Sequence, residues 1–206
     1  MHEDITAIIL AGGKSSRMGS DKALLQIGGR TVIEGIVGLL QSLFPKILLS
    51  ANSPREYEFL NIPLVLDVYR GVGPLAGIHA ALSRSATEKN LLISCDLPLM
   101  SREMIGCVTS RPTDKAVVLL RAGGYLQPFP GLYRKSLLPV LEDILREPVS
   151  PQGVKSRRHA IHTLYDLVEI EIIEAADLPF YRAELFFNLN DQNDYQVLLN
   201  RHPSLQ

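Results

Sequence analysis

The sequence predicts an α/β fold, a doubly wound and mostly parallel sheet with helices on both faces. Three observations predict it. Short, continuous apolar runs recur through the first two-thirds of the chain. Helical patterns with one apolar face lie between them. A glycine-rich block follows the first run directly, where such sheets bind ligands. At 206 residues against ~150 per domain, the chain reads as one domain.

The first run, Ile5 to Ala11, is β-branched and ends at Gly12-Gly13. Lys46 to Ala51, Leu64 to Val68, Asn90 to Cys95 and Ala116 to Leu120 are similar in size. Unbroken apolar runs suit strands covered on both faces. Thr31-Val32-Ile33-Glu34 is a capping box, and Val32, Ile33, Ile36, Val37, Leu40 and Leu43 then form one helical face before Pro45. A second helix is expected over Leu75 to Ala86, with Pro74 in its first turn. Ser136 is expected to cap a third through Leu145, and Asp191 a last one over Gln192 to Leu199. The order βαβαβ implies right-handed crossovers and a Rossmann-like sheet. After residue 125 the rhythm loosens. Val168 to Ile173 and Glu184 to Leu189 read as further strands, partly antiparallel, and Pro148 to His162 as a loop.

Hydrophobic residues are 46% and charged residues 21%, an ordinary globular balance. Twenty-one basic and 22 acidic side chains leave a net charge of −1, so no global basic field attracts nucleic acid or a membrane surface. Trp is absent and aromatics are 6%, which disfavours base stacking on single strands. Cys95 and Cys107 form neither a disulfide framework nor a metal spacing, which fits a reducing cytosol. The acidic start Met1-His2-Glu3-Asp4 is not a signal peptide, and no run approaches the ~20 apolar residues of a membrane span.

Two motifs carry chemistry. Leu10-Ala11-Gly12-Gly13-Lys14-Ser15-Ser16-Arg17-Met18-Gly19-Ser20-Asp21-Lys22 combines backbone that can approach an anion with cations at 14, 17 and 22. Arg17 and Lys22 suit polyphosphate. The spacing is neither a P-loop nor GxGxxG. Cys95-Asp96-Leu97-Pro98 puts a carboxylate at the end of an inner strand, facing the same crevice, where a hard oxygen can hold Mg²⁺ beside phosphates. Asp67, ending the third run, is expected to face it too. Gly71-Val72-Gly73-Pro74-Leu75-Ala76 matches GxGxxA, but reads better as a tight loop before a helix at Pro74 than as a dinucleotide fingerprint. Lys155, Arg157, Arg158, His159 and His162 form a basic loop that reads as solvated, or as a clamp for a second anion. Asn188 and Asn190 could donate amide hydrogen bonds or cap a strand end. Cys95 has no His partner and reads as a small core residue.

Together, the first block and Cys95-Asp96-Leu97-Pro98 resemble the MobA family of molybdenum cofactor guanylyltransferases, within the nucleotidyltransferases of the LAGGxSxRMGxDK type. The likeness runs from Ile5 to Met100 and resumes at Asn188-Leu189-Asn190. The double glycine, the Gly73 to Gly77 loop and the Cys before Asp96 favour the guanylyl branch. The resemblance implies a nucleotide-diphospho-sugar transferase-like sheet and transfer of GMP from GTP to a molybdenum-pterin phosphate, with Mg²⁺ and release of pyrophosphate. It also implies a single nucleotidyltransferase domain, with residues 1–110 as a nucleotide-binding half and residues 111–206 as an acceptor-binding half. It implies nucleotide contacts from Leu10, Ala11, Gly12, Gly13, Lys22, Asp67 and Asp96. Asp96 would hold the metal, and Arg17, Lys22 and Asp96 would be the catalytic set. Relatives often carry Asn where this chain has Ser50, whose hydroxyl is shorter than an amide. It further implies a cytoplasmic enzyme with no nucleic-acid or membrane partner, open to transient contact with molybdoenzymes or cofactor-delivery proteins. Alternatives are cytidylyl transfer to the same pterin, a sugar or polyol phosphate acceptor, an NAD-dependent oxidoreductase built on Gly71 to Ala76, and a nucleotide-binding regulator without turnover.

Overall fold

The computed structural model describes residues 1–11, 21–146 and 160–201. In chain order it contains β1 (Ile5–Leu10), the short strands β2 (Gln26–Ile27) and β3 (Arg30–Thr31), α1 (Val32–Gln41), β4 (Ile47–Ser50), β5 (Leu64–Val65), α2 (Pro74–Arg84) and β6 (Lys89–Ser94). There follow α3 (Arg102–Thr109), β7 (Val117–Ala122), β8 (Tyr125–Arg134), α4 (Leu138–Leu145), α5 (Ile161–Leu167), β9 (Ile170–Glu174) and α6 (Gln192–Arg201). Seven strands form one sheet in the order β5-β4-β1-β6-β8-β7-β9, and β2 and β3 pair separately. One sheet therefore draws strands from both halves of the chain.

The run Ile5 to Leu10 is buried at every position because β1 is covered on both faces. Ile5, Ala7 and Ile9 pack in one core with Val32, Ile33, Ile36, Val37 and Leu40 of α1 and Ile105 and Val108 of α3. Ile8 and Leu10 point the other way, into a core with Leu75, Ile78 and Leu82 of α2, Leu141 and Ile144 of α4 and Leu164 of α5. Each such side chain contributes ~1.5–3 kcal/mol on burial. The capping box of α1 forms as expected: Thr31 Oγ1 accepts from Glu34 N at 3.2 Å, and Glu34 Oε2 accepts from Thr31 N at 2.7 Å. Asp191 caps α6 by accepting from Asp194 N at 3.0 Å.

The second half departs from the sequence reading. β8 was not anticipated, because Pro128 and Pro130 lie within it and proline removes a ladder donor. It inserts antiparallel between β6 and β7. Gly123 and Gly124, with φ of 57° and 81°, make the tight turn that joins it to β7. β8 alone runs against the sheet; β9 pairs parallel with β7 rather than antiparallel. Glu184 to Leu189 is not a strand. Ala183–Phe186 forms a 3-10 turn, and Leu189 N bonds to Asp96 O at 2.9 Å instead of joining a sheet edge. Ser136 does not cap α4 but lies inside the 3-10 turn Lys135–Leu137, and the helix begins at Leu138 with Pro139 in its first turn. α3, capped by Ser101, was also not anticipated. Of the expected loop from Pro148 to His162, residues 148–159 lie outside the described residues, and Ile161 and His162 open α5.

Candidate active site

The site begins with strand register. Leu10 lies level with Ser50 on β4 and with Ser94 on β6. Beyond them Ala11 N donates to Ser50 O at 2.9 Å and Cys95 N donates to Leu10 O at 3.3 Å. Three parallel strands thus end at one height, and their carboxyl ends mark the edge at which an open parallel sheet carries its ligand crevice. Leu10 and Ala11 stand at this edge, each 8% exposed. Gly12, Gly13, Lys14 and Arg17 lie outside the described residues.

Two carboxylate centres stand beyond parallel strands, Asp96 after β6 and Asp67 after β5. In the first, Lys22 Nζ donates to Asp96 Oδ2 at 3.0 Å, the two side chains being 22% and 21% exposed. The expected phosphate ligand and the expected metal ligand are therefore partners of one another. Lys22 opens a 3-10 turn, Lys22–Leu24, that Asp21 caps by accepting from Ala23 N at 3.0 Å. Tyr57, from the turn Pro54–Leu60, donates its hydroxyl to Asp21 Oδ2. Burial, then that hydrogen bond and the Asp21 charge, push the phenol pKa well above its ordinary value, so it remains a donor. Leu189 N, on the backbone oxygen of Asp96, holds the carboxyl-terminal segment against this centre. Asn188 and Asn190 flank that bond; Asn188 Nδ2 donates to Phe186 O at 3.1 Å and Asn190 N to Asp194 Oδ2 at 2.8 Å.

In the second centre, Asn52 Nδ2 donates to Asp67 Oδ2 at 2.7 Å and Asp67 N donates back to Asn52 Oδ1 at 3.3 Å. Asp67 does not end a strand, since β5 stops at Val65. Its position comes from the amide of Asn52 and from Gly77 in α2. A Cβ at Gly77 would lie 3.1 Å from Ser50 Oγ and 3.6 Å from Asp67 Oδ1, so glycine lets helix, strand and carboxylate meet. Ser50, 3% exposed, turns its hydroxyl to Gly77 O at 3.4 Å. It packs α2 against β4, and the amide on this side of the crevice is Asn52. Eight residues separate β5 from α2, and Gly73 takes a φ of 94° as the residue before Pro74. This is a strand-to-helix loop longer than a dinucleotide turn, with the helix starting at Pro74 as expected.

Cys95 is 5% exposed, and its thiol is pushed up to about 12, chiefly by burial and next by the Asp96 charge, with Lys22 opposing. It packs in the core that holds Ala11, Tyr57, Leu97 and Leu189, and stays a neutral thiol at physiological pH, unsuited to nucleophilic attack. His162 sits edge-on to Tyr165 at 5.9 Å; Lys155, Arg157, Arg158 and His159 lie outside the described residues. A cavity of about 710 Å³ opens at the other end of the sheet, lined by Thr6, Phe44, Ile47 and Arg84. Convergent polar groups, rather than hollow size, mark the crevice as the site.

Residues 7–164 match the MobA-like NTP transferase domain. A probable molybdenum cofactor guanylyltransferase of Carboxydothermus hydrogenoformans is 40% identical over 199 residues, covering 96% of both chains. The chain belongs to the MobA-like NTP transferase family. A second probable molybdenum cofactor guanylyltransferase, from Pelotomaculum thermopropionicum, is 32% identical over 92% of this chain and 89% of its own. The crystal structure of molybdopterin-guanine dinucleotide biosynthesis protein A from Archaeoglobus fulgidus superposes with a TM-score of 0.78 at 19% identity, covering 97% of this chain and all of that one. This likeness shows the shared fold.

In this MobA-like transferase, Asp96 supplies a single hard-oxygen side chain. Among the described residues no three His, Cys, Asp or Glu side chains gather around one point. A lone carboxylate is a donor set that fits Mg²⁺, an ion that keeps several waters and takes the rest of its ligands from substrate phosphates. Sequence reasoning missed Asp21, Tyr57 and Asn52. Asp21 was visible in the motif beside Lys22. Nothing local marks Tyr57 or Asn52, whose partners are 36 and 15 residues away.

Proposed function

We propose that the protein transfers GMP from GTP to the phosphate of the molybdenum-pterin cofactor, forming a guanine dinucleotide and pyrophosphate. The observation that carries this reading is the convergence of Leu10, Ala11, Lys22 and Asp96 at the carboxyl ends of β1 and β6, in a chain whose relatives bear that activity in their names. An oxygen of the pterin phosphate attacks the α-phosphorus of GTP in line. A new P–O bond forms as the bond to the bridging α–β oxygen breaks, and pyrophosphate carries away that electron pair. No protein nucleophile is needed, which agrees with a buried, neutral Cys95.

Both reactants are anions, so the chain's work is positioning and charge neutralisation. Backbone at Leu10 to Gly13 approaches the nucleotide. Lys22 exchanges its bond to Asp96 for the triphosphate, and Arg17 offsets charge on the leaving pyrophosphate. Asp96 would hold Mg²⁺, which when bound polarises the phosphates. Asp67, steadied by Asn52, contacts the nucleotide. The 1–110 half serves the nucleotide and the 111–206 half the acceptor, with Leu189 joining them at Asp96. The enzyme works in the cytoplasm on small molecules and meets molybdoenzymes or delivery proteins transiently. No helix among the described residues is long and apolar enough to cross a membrane.

The test is pterin nucleotidylation with GTP and CTP in competition at equal concentration. A site shaped for guanine leaves buried partners of cytosine unpaired at ~1–3 kcal/mol each, so two such losses give about a hundredfold preference. CMP transfer equal to GMP transfer overturns the guanylyl assignment.

A further inference from the structure

Asp21, which caps the Lys22 turn, has two hydrogen-bond partners among the described residues, and only one of them is local. Asp21 Oδ1 accepts from Ala23 N at 3.0 Å within the turn. Its other oxygen is taken by the hydroxyl of Tyr57, which comes from a separate segment between β4 and β5. Tyr57 is 3% exposed and its ring is part of the core. It is anchored by packing and presents a single polar atom to the one residue that joins the glycine-rich block to Lys22. An exposed carboxylate would cap the same turn with one oxygen and leave the other to water. Here the second oxygen is fixed to the protein core.

The geometry points to Tyr57 as a positioning residue for phosphate binding: its hydroxyl holds Asp21, and through Asp21 the Lys22 turn, so that the ammonium stands ready at Asp96 and at the triphosphate. This rests on the assignment of Lys22 to the phosphates. Fixing a long, flexible lysine from its own backbone lowers the ordering cost that ligand binding otherwise bears. The benefit should appear in binding of the charged part of the nucleotide and not in the base.

The experiment compares Tyr57→Phe, Lys22→Ala and the double variant, by titration of GTP and of guanosine and by steady-state nucleotidylation. Tyr57→Phe keeps the ring in the core and removes only the clamp. Expected are a loss of GTP affinity on the order of tenfold, as for a hydrogen bond to a charged group, unchanged guanosine affinity, and a KM that rises more than kcat falls. In the Lys22→Ala background the same change should cost no further GTP affinity, because Tyr57 acts through Lys22. Asp21→Asn, which keeps an acceptor for Ala23 N and can still bond the Tyr57 hydroxyl, should retain more GTP affinity than Asp21→Ala. It also provides the test should Tyr57→Phe fail to fold. Unchanged GTP affinity, equal losses for GTP and guanosine, or full additivity with Lys22→Ala each overturn the role of Tyr57. If Lys22→Ala is selective for GTP and Tyr57→Phe is not, the Tyr57 proposal alone falls. If Lys22→Ala itself weakens guanosine and GTP equally, the phosphate assignment of Lys22 falls, and the Tyr57 proposal with it.

Discussion

Two carboxylates follow strands of the parallel half, Asp96 after β6 and Asp67 after β5, and are held in different ways. Asp96 is paired with a full positive charge, Lys22. Asp67 is held by the neutral amide of Asn52. A cation partner can be traded: phosphates take the ammonium, and the carboxylate becomes available to a metal. A neutral amide partner orients the carboxylate without adding a charge of its own. On the proposed mechanism the Asp96 centre is suited to exchange during the reaction, and the Asp67 centre to a fixed contact.

The largest effect should come from breaking the exchange at Asp96. Asp96→Asn preserves shape and removes the charge, and turnover should fall at least ~100-fold, as for one lost electrostatic stabiliser. Circular dichroism should remain unchanged. Near-normal turnover at ordinary Mg²⁺ would remove Asp96 from the metal. Next, Lys22→Ala should weaken GTP at least ~10-fold, in keeping with a charge-assisted bond, with guanosine little affected. Calorimetric titration of both ligands checks this, and equal losses would place Lys22 off the phosphates.

A smaller effect is expected at the second centre. Asn52→Ala leaves Asp67 in place but unsteadied, so the GTP-over-CTP preference should drop by about three- to tenfold, the worth of one net hydrogen bond. The rate with saturating GTP should change less. If kcat collapses while the preference survives, Asp67 belongs to the reacting centre and the contrast between the two carboxylates fails.

The smallest effect concerns Cys95. Its thiol in the folded state holds its proton up to about 12, against an ordinary value near 9. Between these values the unfolded chain binds fewer protons than the folded one, so stability falls as pH rises past about 9 and is indifferent to this group below it. Urea denaturation at pH 7.5, 9 and 10, for wild type and Cys95→Ala, should show the wild type losing more stability at alkaline pH. Identical pH slopes would place the thiol in a less buried setting.

The same contrast shows what could be read from local pattern. β1, β4 and β6 were legible because burial on both faces writes an unbroken apolar run, and α1 because its capping box is a four-residue signal. That Asp96 stands just beyond an inner strand was legible because the apolar run before it is unbroken. β8 was hidden by Pro128 and Pro130: its place between β6 and β7 is set by neighbours on either side, and no local rule permits two prolines there. Leu189 read as a strand residue because its segment is apolar, but its backbone is claimed by Asp96.

The sequence by itself determined the α/β class, the strands of the parallel half and the chemical type of the site, since period, caps and glycine-rich turns act over a few residues. Only the tertiary structure decided the strand order, the antiparallel insertion of β8, the pairing of Lys22 with Asp96 and the supports from Tyr57 and Asn52. Those contacts join residues from 15 to 74 positions apart, and such partners are selected by packing of the whole chain, which no short-range pattern records.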